Sequence, residues 1–258
     1  MIQFAAALAA FILLHVGLSA TPLRGAVVRA IGEWPYRGLF SVASAAALAW
    51  MIFSFGAARA APDNPVLWTP PAWTHHVTAL FVFCAFLLAV PGLVTPGPTT
   101  VGMEGAMAKP EPARGMMRIT RHPFLWGVAL WGAGHLIANG EGTSLMLFGG
   151  LAAMVLFGTR SIDRKSAARD PEGWARFSAV TSNVPFAAIL QGRNRLALGE
   201  IALPLLAALA VFGATLWFHR VFFGVAPFDF GALSPGHEPK GNPAGVGCGL
   251  NRIRHALR

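Results

Sequence analysis

Charge is scarce in this sequence. Asp, Glu, Lys and Arg make up only 12% of its 258 residues, against about 25% in an ordinary soluble domain, which argues against a soluble globular fold. Cysteine is nearly absent. Cys84 lies in an apolar block and Cys248 in a polar tail, so no disulfide framework is expected. There is no adjacent carboxylate pair, Ser-His-Asp pattern, Cys-x-x-Cys or phosphate-binding glycine loop. Conventional hydrolase, kinase and dehydrogenase readings therefore have no residues to rest on.

What is present is apolar: 55% of the residues are hydrophobic, gathered into blocks near membrane-spanning length. The expectation is an all-α, polytopic transmembrane helical bundle of about six spans, drawn at 2–20, 38–58, 75–95, 123–139, 142–158 and 200–219. The opening stretch "MIQFAAALAAFILLHVGLSA" is taken as the first span, because no Lys or Arg precedes it and it is long for a leader's apolar region. Spans four and five are short, rich in glycine and separated only by "NGEG". They read as a tight hairpin in which Gly127, Gly132, Gly134, Gly149 and Gly150 let helices approach closely. The stretch "WTPPAWTHH" (68–76) reads as an interfacial stop, with tryptophans at headgroup level and two prolines that keep the chain out of a helix.

The net charge of +9 comes from 20 Lys+Arg against 11 Asp+Glu. Nucleic acid is not the expected partner, because the excess sits in connections between apolar blocks. Connection 21–37 holds Arg24, Arg29 and Arg37, connection 96–122 holds four basic residues, and connection 159–199 holds seven. The positive-inside rule then predicts that these connections face the cytoplasm and that both termini face outward, although five basic residues beyond position 219 pull the other way. Residues 1–230 form the expected transmembrane domain. Residues 231–258 are Gly/Pro-rich, without apolar periodicity, and are read as a disordered tail.

Among eight histidines, only His15 and His135 fall at lipid depth. An ionisable group there marks function by default, or else it hydrogen-bonds a carbonyl of a neighbouring helix, and the sequence leaves both open. His15 stands roughly 7.5 Å from the inner end of its span and His135 roughly 6 Å from the outer end of its own, at ~1.5 Å per residue. Across a core of ~30 Å their depths differ by up to about 15 Å, too far for one small ion to bridge but open to a haem lying between them. Trp126, Trp131 and Phe124 flank His135 and could pack on a porphyrin or face lipid. Glu33, Asp163, Asp170 and Glu172 sit among arginines, where ion pairing is the expected role.

Four segments carry a resemblance: "LLHVGLSATPLRGAVVRAIGEWPYRGLFSVAS" (13–44), "LWTPPAWTHH" (67–76), "RITRHPFLWGVALWGAGHLIANG" (118–140) and "DPEGWARFSAVTSNVPFAAILQGRNRL" (170–196). Together they resemble the NnrU family, which is linked to nitrite and nitric oxide reduction. They are also similar to 15-cis-zeta-carotene isomerase, which uses haem b. The resemblance implies that His15 and His135 are the axial ligands and that His122 is the histidine of an Arg-His-Pro motif. Where that relative has a cysteine three residues before its second ligand, this chain has Gly132, so a thiolate-to-imidazole exchange is not expected.

A second class competes. "RHPFLWG" and "GWARFSAVTSNVPF" also resemble membrane methyltransferases acting on isoprenylcysteine and phospholipids, in which Arg121, His122 and Glu172 would contact S-adenosylmethionine. Pro171-Glu172 replaces the adjacent acidic pair of those enzymes, and His15 would have no role. A non-enzymatic assembly partner of a respiratory reductase is the third reading. The expectation carried forward is a bilayer-embedded haem b protein with the haem between His15 and His135, where Arg121 and His122 orient a propionate or a substrate such as a hydrophobic polyene.

Overall fold

The computed structural model describes residues 1–18, 21–95, 97–99, 111 and 113–228. Within lipid every backbone N–H and C=O must be satisfied inside its own segment, and helices meet that demand. Among the described residues the elements are accordingly all helical, apart from connecting loops and an isolated bridge between Val66 and Glu141.

Helix α1, Ile2–Ile12, runs on into a π-helical turn, Leu13–Leu18. It is followed by α2 (Leu23–Ile31), α3 (Glu33–Arg59), α4 (Thr74–Val94), a 3₁₀ turn at Gly115–Arg118 and α5 (Pro123–Ala138). The short α6 (Gly142–Ser144), a second π-helical turn (Leu145–Gly149) and α7 (Gly150–Arg169) form one continuous rod. Helices α8 (Pro171–Val180), α9 (Ala187–Leu190) and α10 (Leu198–Phe223) complete the order.

This is a membrane protein. Among the described residues four helices are long and apolar enough to cross a bilayer: Glu33–Arg59, Thr74–Val94, Gly142–Arg169 and Leu198–Phe223. A fifth is gained if Ile2–Leu18 and Leu23–Ile31 make one broken span. Among the described residues each of the six expected spans falls on helix, and the span at 123–139 is short for a full crossing. Helix α5 has only 16 residues, because Asn139 leaves helical backbone and Gly140 accepts a bond from Leu67 N instead. Helices α2, α8 and α9 were not expected. Asp170 starts α8 as an N-cap, its carboxylate accepting from Gly173 N at 2.9 Å, with Pro171 at the first position.

The described residues divide into two compact units, Met1–Gly213 and the part from Ala214 onward. In the first, α4 and α5 pack closely because three glycines remove side chains from their contact. A Cβ at Gly127 would stand 2.7 Å from Ala89 Cβ, one at Gly134 2.8 Å from Phe81 Cβ, and one at Gly92 2.7 Å from Phe124 N. The hairpin between α5 and the rod uses Gly132, whose Cβ would lie 2.8 Å from Phe148 O. Gly149 and Gly150 meet their neighbours at ordinary contact distance, so the glycines of α5 serve α4 more than the hairpin. Helix α1 packs on α3 around Phe4, Ala7, Leu8, Met51 and Ala58, with Met146, Leu147 and Leu151 of the rod against the same cluster. In the second unit His219 Nδ1 donates to Val225 O at 2.8 Å. The tail 231–258 lies outside the described residues.

Candidate functional site

His15 lies inside the first π-helical turn. Such turns insert one extra residue per turn and are frequent at functional sites. His15 Nδ1 donates to Phe11 O at 2.8 Å, and its ring packs on Phe11 and Phe40 with centroids 4.2 and 5.3 Å away. His135 makes the same local bond, Nδ1 to Trp131 O at 2.9 Å. Its ring stacks on Phe148 of the second π-helical turn at 4.8 Å and lies 4.9 Å from Trp131. Each imidazole thus bonds a carbonyl of its own helix.

The bond also selects a tautomer. A carbonyl only accepts, so Nδ1 is the donor in each bond, and a neutral ring held this way has its lone pair on Nε2. A metal-bound histidine is held in the same way, its second nitrogen donating to a carbonyl. Both rings therefore fit the donor chemistry of axial haem ligands. The start of the rod lies against both neighbourhoods: Phe148 stacks on His135, and a Cβ at Gly150 would stand 3.6 Å from Ile12 Cδ1, three residues before His15. Among the described residues no group of three or more His, Cys, Asp or Glu side chains is gathered around a possible ion. A haem needs only two such donors.

Arg121 and His122 occupy a second centre. His122 N-caps α5, with Pro123 at the first helical position. Its Nε2 donates to Asp163 Oδ1 at 2.7 Å, while Arg121 Nη2 donates to Asp163 Oδ2 at 2.9 Å. Asn183 Nδ2 adds a third donor to that carboxylate at 3.2 Å and accepts from Trp126 Nε1 at 3.3 Å through its own oxygen. Arg121 further reaches Thr181 Oγ1 at 3.3 Å and lies over the Trp174 ring, 5.0 Å from its centroid. The backbone follows: Arg121 N donates to Ser182 O and Phe186 N to Ile119 O.

The His122 side chain is 1% exposed and that of Arg121 11%. This is a closed clamp joining the start of α5 to α7, α8 and the segment after α8. The candidates thus fall into two groups, His15 and His135 at the rod's first turns and Arg121 and His122 at its last. Among the described residues Glu172 joins neither group. Asp163 is the member that sequence reasoning missed. It was read as an ion-pairing carboxylate among arginines, which it is, but its partners stand about forty residues earlier, and no local spacing announces them. Asn183 gave no signal at all.

A family model described as "NnrU protein" matches residues 3–227. The chain belongs to the NnrU family. That match spans His15, Arg121, His122, His135 and Asp163 alike. The NnrU-family chain is also 30% identical over 193 residues to the 15-cis-zeta-carotene isomerase, chloroplastic, of Zea mays, covering 72% of this chain and 50% of that protein. It is 32% identical over 193 residues to the protein of the same name from Arabidopsis thaliana, covering 71% and 49%. The chain therefore spans about half the length of the curated relatives it matches. No solved structure matches it.

Proposed function

We propose that this chain is a membrane isomerase acting on a cis double bond of a long conjugated polyene, with haem b held between His15 and His135. The observation that carries the proposal is the identity of 30% and 32% to two proteins named as 15-cis-zeta-carotene isomerases. The shared tautomer of His15 and His135 supports the cofactor, and the lack of a Cys-x-x-Cys pair favours a non-covalent haem. When bound, the iron supplies a redox centre that can draw electron density from a conjugated chain and so ease rotation about a double bond.

The protein's own residues do the rest. His15 and His135 would hold the iron. Trp131 and Phe148 fix the plane of His135, and Phe11 and Phe40 that of His15. The Arg121–His122–Asp163 clamp holds the start of α5, and with it the helix that carries His135. A polyene dissolves in the hydrocarbon layer, so it reaches such a site from within the bilayer without crossing water. We place the clamp on the cytoplasmic side of a bacterial inner membrane, because the Arg-rich connections gather there.

A reduced-minus-oxidised visible spectrum of the detergent-purified protein tests the cofactor. Isomer ratios in cells that accumulate a 15-cis polyene, read by chromatography, test the reaction. The expected results are a b-type α-band, absent in His135→Ala and in His15→Ala, and conversion of the cis isomer by the wild type only. A colourless wild type, expressed with haem available, overturns the cofactor. A pigmented wild type that leaves the polyene untouched overturns the substrate class and favours a haem protein serving nitrogen-oxide respiration.

A further inference from the structure

Two arginines share one carboxylate oxygen three ring contacts away from His15. Arg24 Nη2 lies 2.6 Å and Arg37 Nε 2.8 Å from Oε1 of Glu33. One carboxylate balances only one of these charges, so this corner, where α2 meets the start of α3, keeps a net positive charge. A guanidinium has five N–H donors, and Glu33 takes one from each arginine. The Arg24 and Arg37 side chains are 40% and 34% exposed, which leaves donors for an anion.

Aromatic rings connect this corner to the histidine. Arg24 Cζ lies 5.3 Å from the Tyr36 ring centroid. Tyr36, the single tyrosine of the sequence, stacks on Phe40 at 5.9 Å, and Phe40 meets His15 edge-on at 5.3 Å. The contrast with the other basic candidate is chemical. Arg121 and His122 are buried and directed at Asp163, whereas Arg24 and Arg37 outnumber their carboxylate and stand open.

Resting on the haem reading above, we infer that Arg24 and Arg37 receive the propionate carboxylates of the haem, on the His15 side. The chemistry suits it, because guanidinium–carboxylate bonds are charge-assisted and strong. A phospholipid phosphate would be recognised by the same donors, so the experiment must separate the two anions.

The test titrates the full-length detergent-purified protein with haem b and with its dimethyl ester, following the Soret band. In the wild type the ester should bind at least about tenfold more weakly, the loss of about one charge-assisted bond. In the Arg24→Gln/Arg37→Gln double variant the free acid should fall by a similar factor, and the preference should vanish. Arg24→Lys/Arg37→Lys should retain most of it. Glu33→Gln, which releases both guanidinium groups, should keep or sharpen it. A double variant that melts like the wild type yet still prefers the free acid overturns the inference. So does a double variant that loses co-purified anionic phospholipid while its haem preference is unchanged. A wild type that binds acid and ester equally removes the propionate role alone, and one that binds neither removes the haem reading with it.

Discussion

His122 Nε2 donates to Asp163 Oδ1 at 2.7 Å, across 41 residues of sequence. The same carboxylate neutralises Arg121 and accepts from Asn183, so one side chain of α7 satisfies donors from two other segments. Asp163→Ala would leave the Arg121 guanidinium, 11% exposed, without its counter-charge. Removing one partner of a buried pair costs about 3 kcal/mol or more. A large fall in melting temperature is expected, nearly as large for Asp163→Asn, since an amide supplies an acceptor but no charge. An Asp163→Ala protein that melts within a degree or two of the wild type would show that the clamp holds nothing.

The glycines of α5 make a graded prediction. Gly127→Ala places a methyl 2.7 Å from Ala89 Cβ and 2.8 Å from Ala85 O. The backbone cannot retreat cheaply there, and overpacking costs about 1–3 kcal/mol. Gly149→Ala meets nothing nearer than Leu145 Cδ1 at 3.5 Å, and in a helix alanine is favoured over glycine by up to about 1 kcal/mol. Thermal melts should therefore move in opposite directions. Equal shifts would mean that α4 and α5 do not approach as closely as described.

The contrast between these two glycines shows what the sequence could carry. Small residues in apolar runs announce close packing but not against which helix, because periodicity fixes a face and not its neighbour. The apolar blocks were legible as helices for the same reason: hydrocarbon forces each segment to satisfy its own backbone. Breaks inside them were not. The π-helical turn around His15 replaces one ladder of bonds by another without any proline to mark it. His15 and His135 stood out because imidazole is rare at that depth. Asp163 did not, because a carboxylate among arginines looks like a solvated ion pair until the fold brings His122 to it. Asp170-Pro171 is different: a cap and a first-position proline spell out the start of α8.

Glu141 closes the opposite end of the fold from a loop. Burial works against its charge, but bonds from Ser144 and Arg59 outweigh it and hold the carboxyl below its ordinary value of 4.5. A depressed folded value means that the stabilisation is present above the unfolded value and is lost as pH falls through the folded one. Glu141→Gln should therefore melt below the wild type at neutral pH, the gap closing as pH drops below about 4. The Arg59 and Glu141 side chains are 38% and 26% exposed, so the effect is modest, within about 1 kcal/mol. A gap that widens in acid would reverse the assignment.

The bond and the stack that hold His135 can be separated, which tests whether its ring is a ligand. The bond from Nδ1 to Trp131 O sets the tautomer, while the stack on Phe148, at an interplanar angle of 23°, sets the plane. Phe148→Ala removes the second and keeps the first. If His135 ligates iron, the variant should keep its pigment, because the donor atom survives. Its spectrum should change, because the energies of the metal orbitals depend on the orientation of an axial imidazole plane. Low-temperature electron paramagnetic resonance of the oxidised protein should show broadened or displaced g values. His135→Ala should instead lose the signal outright. An unaltered spectrum in Phe148→Ala, together with full pigment in His135→Ala, would reduce this histidine to a packed core residue satisfied by its own helix.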